Sequence, residues 1–230
     1  IELANGRISV VAGTGSNSTE ETLHQTKEAE SLGADACLLV TPYYNRPTQE
    51  GLYAHFKKVA ETTSVPLVLY NVPGRTGCDL LPETIGRLSS IEGIVGIKEA
   101  SGKIERVSEI RSVSASDFFI LSGEDALTLE MMNNGAVGTI SVTANVLPKA
   151  MAEFCDSFLS GNIKRASAID EVLQSVHEIL FIESNPTPAK WALHQMGIIH
   201  EGIRMPLLPL SSRHRSELKK RIDEAMEALK

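Results

Sequence analysis

In Ile94-Val95-Gly96-Ile97-Lys98-Glu99 an apolar run passes into two charged residues with no turn signal between them. A run that is continuously apolar, rather than alternating with polar residues, reads as a strand covered on both faces, the situation in a parallel sheet. Five other runs share this character: Ile8–Ala12, Ala36–Thr41, Leu67–Asn71, Phe118–Ser122 and Gly138–Ser141. The segments between them change period. Leu52, Phe56, Val59 and Ala60 recur at helical spacing, as do Ile104, Val107 and Ile110. Helix starts are marked as well. Ser18-Thr19-Glu20-Glu21 fits a capping box, Pro82 suits a first helical turn, and Ser101 is placed to cap the helix after it. Strands alternating with helices across short connections predict an α/β fold built on a parallel sheet.

The spacing of the strand ends narrows this further. Tyr70 and Lys98 are 28 positions apart, and a (β/α)8 barrel of ~250 residues averages roughly 31 per βα unit. The predicted architecture is therefore a TIM barrel, of which this chain carries about six βα units. Beyond Ser141 the pattern is helical, over Leu147–Ser160, Ile163–Phe181, Pro188–Met196 and Arg213–Leu229. In the last of these Leu218, Ile222, Ala225, Met226 and Leu229 form one apolar stripe. The expected division is a partial barrel over residues 1–146 and a helical region over 147–230 that packs on it or on another subunit. A doubly wound open sheet is the alternative. It lacks support, because Gly13-Thr14-Gly15 has no third glycine to complete a dinucleotide-binding fingerprint. The opening residues, Ile1 to Arg7, read like the tail of a helix ending at Gly6, so the expectation is that the chain begins inside a larger unit.

Composition excludes several function classes. With 230 residues, 42% apolar and 22% charged, the chain can bury a sizeable core. A formal net charge of −7 with no basic block argues against nucleic acid and anionic membrane as partners, and an anionic substrate then needs a local cation. Cys37, Cys78 and Cys155 are distant and odd in number, which suits a reducing cytoplasm better than a disulfide framework. No stretch is long and apolar enough to span a bilayer. The six histidines, at 24, 55, 177, 194, 200 and 214, show no ligand spacing, so no metal is expected and most are read as solvent-exposed.

In a barrel, side chains at the C-terminal strand ends face one shared site. Those ends supply Asn17 after the first run, Tyr43 and Tyr44 after the second, and Tyr70 with Arg75 after the third. Lys98 follows on the fourth, Gly123 after the fifth, and Ile140 with Ser141 on the sixth. An ammonium at the end of a dry run loses hydration, so Lys98 is expected to reach the neutral amine readily. A neutral amine beside phenols and a guanidinium is a set for imine chemistry on a keto acid. Each residue also has a plainer reading. Lys98 fits a buried ion pair, Tyr70 a core aromatic, Tyr43 and Tyr44 loop aromatics, Arg75 a solvated turn, and Glu21 half of a capping box.

Taken together, Thr41-Pro42-Tyr43-Tyr44-Asn45-Arg46-Pro47, Tyr70-Asn71-Val72-Pro73-Gly74-Arg75-Thr76-Gly77 and Gly96-Ile97-Lys98-Glu99-Ala100 resemble the dihydrodipicolinate synthase family. That family comprises pyruvate-dependent class I aldolase-like enzymes on a TIM barrel. Leu121-Ser122-Gly123-Glu124-Asp125 and Ser184-Asn185-Pro186-Thr187-Pro188-Ala189-Lys190-Trp191 carry the resemblance into the C-terminal helices. It implies that Lys98 forms an imine with pyruvate, with no other cofactor, and that Tyr70 acts as general acid and base. Tyr44 becomes a phenol lent to a neighbouring subunit, Arg75 the holder of the aspartate semialdehyde carboxylate, and Gly123 with the Ile140 carbonyl the lining of the pyruvate site. Asn17, Glu21 and Tyr43 match positions that contact the feedback inhibitor lysine in some members.

The implied reaction condenses pyruvate with L-aspartate 4-semialdehyde to 4-hydroxy-tetrahydrodipicolinate, and the implied assembly is a cytoplasmic homotetramer. Arg75 favours this over the sialic acid lyases and ketodeoxygluconate aldolases, which share the lysine and tyrosine but typically lack the arginine. Family members begin with two further βα units, the second strand ending in Thr-Thr-Gly-Glu, so on this resemblance residues 1–146 lack the first two barrel strands. A catalytically silent relative is the expectation if that motif is absent from the native protein.

Overall fold

A computed structural model describes residues 1–230, which divide into two compact units: Ile1–Gly123 with Asn133–Val137, and Glu124–Met132 with Gly138–Lys230. In the first, the chain alternates β1 (Val11–Gly13), α1 (Thr19–Ser31), β2 (Ala36–Val40), α2 (Gln49–Ala60) and β3 (Leu67–Asn71). It continues through a single turn, α3 (Pro73–Thr76), then α4 (Pro82–Leu88), β4 (Ile94–Glu99), α5 (Glu105–Val113) and β5 (Phe119–Ser122). All neighbouring strands are parallel, in the spatial order β1-β2-β3-β4-β5. That order never reverses, whereas a doubly wound sheet needs a reversal to create its switch point. The open-sheet alternative fails on this observation.

Burial along the strands differs from the sequence expectation of two covered faces. Cys37, Leu39, Leu69, Ile97 and Ile120, which share one face, have no exposed surface. Helices pack against one another in chain order, α1 on α2, α2 on α4 and α4 on α5. Their apolar positions, such as Phe56, Val59, Ile85, Val107 and Ile110, are fully buried. The other face is only half-buried at Leu38, Val40, Tyr70, Lys98, Phe119 and Leu121. Close approach explains two glycines. A Cβ on Gly96 meets the Phe119 ring, and a Cβ on Gly15 meets the backbone nitrogen of Val40. Gly15 is therefore a packing glycine, in keeping with the missing fingerprint.

The second unit holds 3-10 turns at Asp125–Leu127 and Thr143–Asn145 with α6 (Thr128–Asn133), α7 (Pro148–Leu159), α8 (Ile163–Ile179), α9 (Thr187–Gln195) and α10 (Ser212–Ala228). Helix α8 packs on α7 and α10. Of the apolar stripe on α10, Leu218, Ile222 and Ala225 are buried while Met226 is 42% exposed. Inside this unit, Asp125 Oδ2 accepts from the amides of Val142 and Thr143, and the Thr143 hydroxyl bonds to His177 Nδ1 at 2.7 Å. No helix of the chain is long and apolar enough to cross a membrane.

The structure differs from local sequence expectations at several places. Gly138–Ser141 is no strand; it holds one bridge residue, Thr139, because the run is short and Gly138 leads it at φ 155°. The sheet thus has five strands. The first run pairs only from Val11 onward, and Ile8 is 71% exposed. Ile1 to Arg7 form hydrogen-bonded turns rather than a helix tail. Ser18 does cap α1, accepting from the Glu21 amide. The Glu21 carboxylate instead takes the Gln25 side chain at 3.0 Å, so the reciprocal half of the capping box is missing. Ser101 caps nothing. Ile104 is the N-cap of α5, and the Ser101 amide donates to Glu99 Oε1 at 2.7 Å.

The histidines also depart from the exposed reading, since His55 and His177 are buried. His55 Nδ1 shares a hydrogen bond of 2.8 Å with the Thr19 hydroxyl across α1 and α2, and its Nε2 has no partner. Burial pushes its pKa down from the ordinary 6.5 to about 4. The unfolded chain therefore takes up a proton at His55 between those values that the folded chain refuses. Stability from this site is complete above the ordinary value and drains away as pH falls through the window. We predict that, between about pH 7.5 and 4.5, urea unfolding of the wild type loses on the order of 2 kcal/mol more stability than a His55→Gln variant does. Parallel pH profiles for the two proteins contradict this.

Candidate active site

The site is built where β3 and β4 end side by side. Tyr70 pairs with Lys98 in the parallel register, and Asn71 pairs with Glu99. Side chains alternate across a strand, so the first pair shares one face of the sheet and the second pair the other. On the half-open face, Lys98 Nζ stands 4.2 Å from the centroid of the Tyr70 ring. At that range an ammonium is attracted by the ring quadrupole, and both groups lie in reach of one small substrate. Lys98 and Tyr70 are half-buried.

Gly123 follows β5 and closes on the same stem. Its amide donates to the Glu99 carbonyl at 2.8 Å. A Cβ there would fall 2.9 Å from Lys98 Cε and 2.7 Å from Ala100 Cβ. Only glycine leaves the lysine chain room at this point. The loop after β2 is fixed from below. The Thr41 amide donates to the Tyr70 carbonyl at 2.9 Å, and its hydroxyl donates to Thr76 Oγ1 at 3.3 Å. Thr76 sits in the α3 turn, which Gly77 ends in the left-handed conformation at φ 77°.

Tyr44 and Arg46 hold positive φ, 74° and 48°, an uncommon conformation for bulky residues. The Tyr44 amide donates to the Thr76 carbonyl, while its side chain is 90% exposed. Arg75, on the α3 turn, is exposed as well. Lys98, Tyr70 and Gly123 are thus brought together, whereas Tyr44 projects into solvent. Asn17 and the Tyr43 loop are neighbours, since the Asn45 side chain donates to the Asn17 carbonyl at 2.8 Å. Glu21 stays exposed with Gln25. Ile140 belongs to the second unit and is half-buried.

The opposite face holds groups that sequence reasoning passed over. Asn71 and Glu99 have no exposed surface, and the Asn71 amide donates to Glu99 Oε2 at 3.1 Å and to Asp79 Oδ1 at 2.8 Å. Asn71 Oδ1 accepts from the Leu80 amide at 3.0 Å. Arg106, buried on α5, grips both oxygens of Asp79 at 3.0 Å. Burial raises the Glu99 pKa, and the bonds from Ser101 and Asn71 offset that only in part. Burial opposes the Asp79 carboxylate too, but the hydrogen bonds from Arg106 and Asn71 outweigh it and hold the pKa below its ordinary value. The signal was present in the sequence. Glu99 ends the same dry run that singled out Lys98.

Comparison with known proteins identifies the family. The model of the dihydrodipicolinate synthetase family matches residues 1–225. A 4-hydroxy-tetrahydrodipicolinate synthase of Methylococcus capsulatus is 54% identical over 98% of this chain and 77% of its own length. The enzyme of that name from Pseudomonas aeruginosa is 55% identical over 93% of the chain and 73% of its own length. Among solved structures, the synthase of Methylacidiphilum fumariolicum superposes with a TM-score of 0.97 at 44% identity, covering 99% of this chain and 76% of that one. Dihydrodipicolinate synthase from Acinetobacter baumannii, complexed with pyruvate, gives 0.96 at 50% identity, with 98% and 78% covered. The chain therefore belongs to the dihydrodipicolinate synthetase family, and its parallel βα sheet is part of that family's (β/α)8 barrel.

Proposed function

We propose that this chain condenses pyruvate with L-aspartate 4-semialdehyde through an imine at Lys98, yielding 4-hydroxy-tetrahydrodipicolinate for the diaminopimelate route to lysine. The observation that carries the reading is Lys98 Nζ held 4.2 Å from the Tyr70 ring, inside a family whose members 52–55% identical to this chain are named as that synthase. Enzymes cleaving N-acetylneuraminate or ketodeoxygluconate are not favoured, because these relatives bear the synthase name.

The chemistry follows from the groups present. Lys98 Nζ attacks the keto carbon of pyruvate, and loss of water leaves a protonated imine. The imine makes the adjacent methyl acidic, and proton removal gives an enamine whose terminal carbon attacks the aldehyde of the semialdehyde. Tyr70 exchanges the protons of these steps. The amine of the condensed product then adds to the former keto carbon, and expulsion of the Lys98 amine closes the ring. A chain of net charge −7 needs local cations for two anionic substrates, and Arg75 supplies one as a planar fork for the semialdehyde carboxylate. Gly123 lines the pyruvate site.

In this reading the exposed, left-handed Tyr44 is presented to a neighbouring subunit, within a cytoplasmic homotetramer built as a pair of dimers. Asn17, Glu21 and Tyr43 are the contacts this chain offers to free lysine. A relative from Cyanidioschyzon merolae has been solved with lysine bound, at 38% identity.

Borohydride reduction in the presence of saturating pyruvate is expected to add one reduced pyruvate unit, mapped to the peptide containing Lys98. An unmodified Lys98 contradicts the imine. The Arg75→Ala variant is expected to raise the half-saturating semialdehyde concentration by about 10- to 100-fold, the loss of a charge-assisted carboxylate contact, with pyruvate trapping unchanged. Equal losses for both substrates contradict the assigned role.

A further inference from the structure

We infer that Asn71 is a positioning residue for this reaction: its carboxamide latches the end of β3 to Glu99 on β4 and so sets Tyr70 against Lys98 on the opposite face. The inference rests on the imine reading of Lys98. Four observations carry it. Asn71 and Glu99 are each one residue beyond the reactive pair and are paired in register. Both are without exposed surface, so their link is shielded from competing water. All the polar atoms of the Asn71 carboxamide are used, with Glu99 and Asp79 accepting and the Leu80 amide donating. The latch is anchored beyond the sheet as well. Arg106 on α5 fixes Asp79 through two bonds and reaches the Leu80 carbonyl at 3.3 Å.

The geometry explains why a latch matters at this height. Backbone pairing of β3 and β4 runs out at this point. The Ala100 amide donates to the Asn71 carbonyl at 2.8 Å, and both chains then leave the sheet, into α3 and toward Ser101. Strand ends fray where the ladder stops, and a side-chain tie across the last pair holds them. A shift of one residue would send Tyr70 and Lys98 to different faces. The Glu99 oxygens are taken by Asn71 and the Ser101 amide, which keeps this carboxyl committed to the helix side of the sheet.

The test is a rapid-quench borohydride time course with pyruvate on the wild type, Asn71→Ala, Glu99→Gln and Glu99→Ala. Adduct at Lys98 in the wild type is required first, and its absence overturns the Lys98 reading itself. With that adduct present, folded Asn71→Ala is expected to form the same adduct at least about 10-fold more slowly, because sub-ångström misplacement of reacting groups is costly. Its half-saturating pyruvate should change by less than about 3-fold, a split between rate and binding that simple loss of stability does not produce. Glu99→Gln keeps one acceptor oxygen and is expected to fall between the two. Imine formation at the wild-type rate in folded Asn71→Ala overturns the latch. If that variant does not fold, a wild-type rate in folded Glu99→Ala, which keeps no acceptor for the Asn71 amide, overturns it equally.

Discussion

Alternation of side chains across two neighbouring strand ends is the constraint on which the rest of this structure depends. At the last two rungs of β3 and β4, positions 70 and 98 face one way and positions 71 and 99 the other. One face carries a phenol and an amine, half-buried and open to a small molecule. The other carries a carboxamide and a carboxyl with no exposed surface, tied to the Arg106–Asp79 ion pair on the helix side. Reactive and structural polar groups are thus separated by a single backbone layer. Each is placed by the register that places the other.

The elements around those rungs make the placement tight. Gly123 leaves no space for a side chain against the Lys98 stem, and the Thr41 amide ties β2 to the Tyr70 carbonyl. The α3 turn carries Arg75 forward directly after β3, with Gly77 ending it in a conformation that glycine adopts at little cost. The half-buried Asp79 remains ionised because Arg106 and Asn71 offset its desolvation. Polar satisfaction of this kind is what allows charged residues inside a packed layer at all.

Much of this was legible in the sequence. The continuous apolar runs and their spacing point to a parallel βα sheet, and a lysine at the end of such a run stands out because few runs tolerate one. Runs report composition, however, and not pairing, so the Asn71–Glu99 link could be read only once β3 and β4 were in register. Gly138–Ser141 looks like a strand by composition, yet a short run led by a left-handed glycine forms only one bridge. His55 and His177 were misjudged because burial of an imidazole depends on a hydroxyl partner from a distant segment, Thr19 in one case and Thr143 in the other. Glu21 and Ser101 show the same limit. Local capping patterns name possible partners, and tertiary packing chooses among them.

A crystal structure of the protein after borohydride reduction with pyruvate tests the central claim most directly. The account predicts continuous density from Lys98 Nζ to the central carbon of the reduced pyruvate, with the Tyr70 phenol against it and Asn71 bonded to Glu99 behind the sheet. Density on any other amine, or a Lys98 side chain turned toward the Glu99 face, contradicts it.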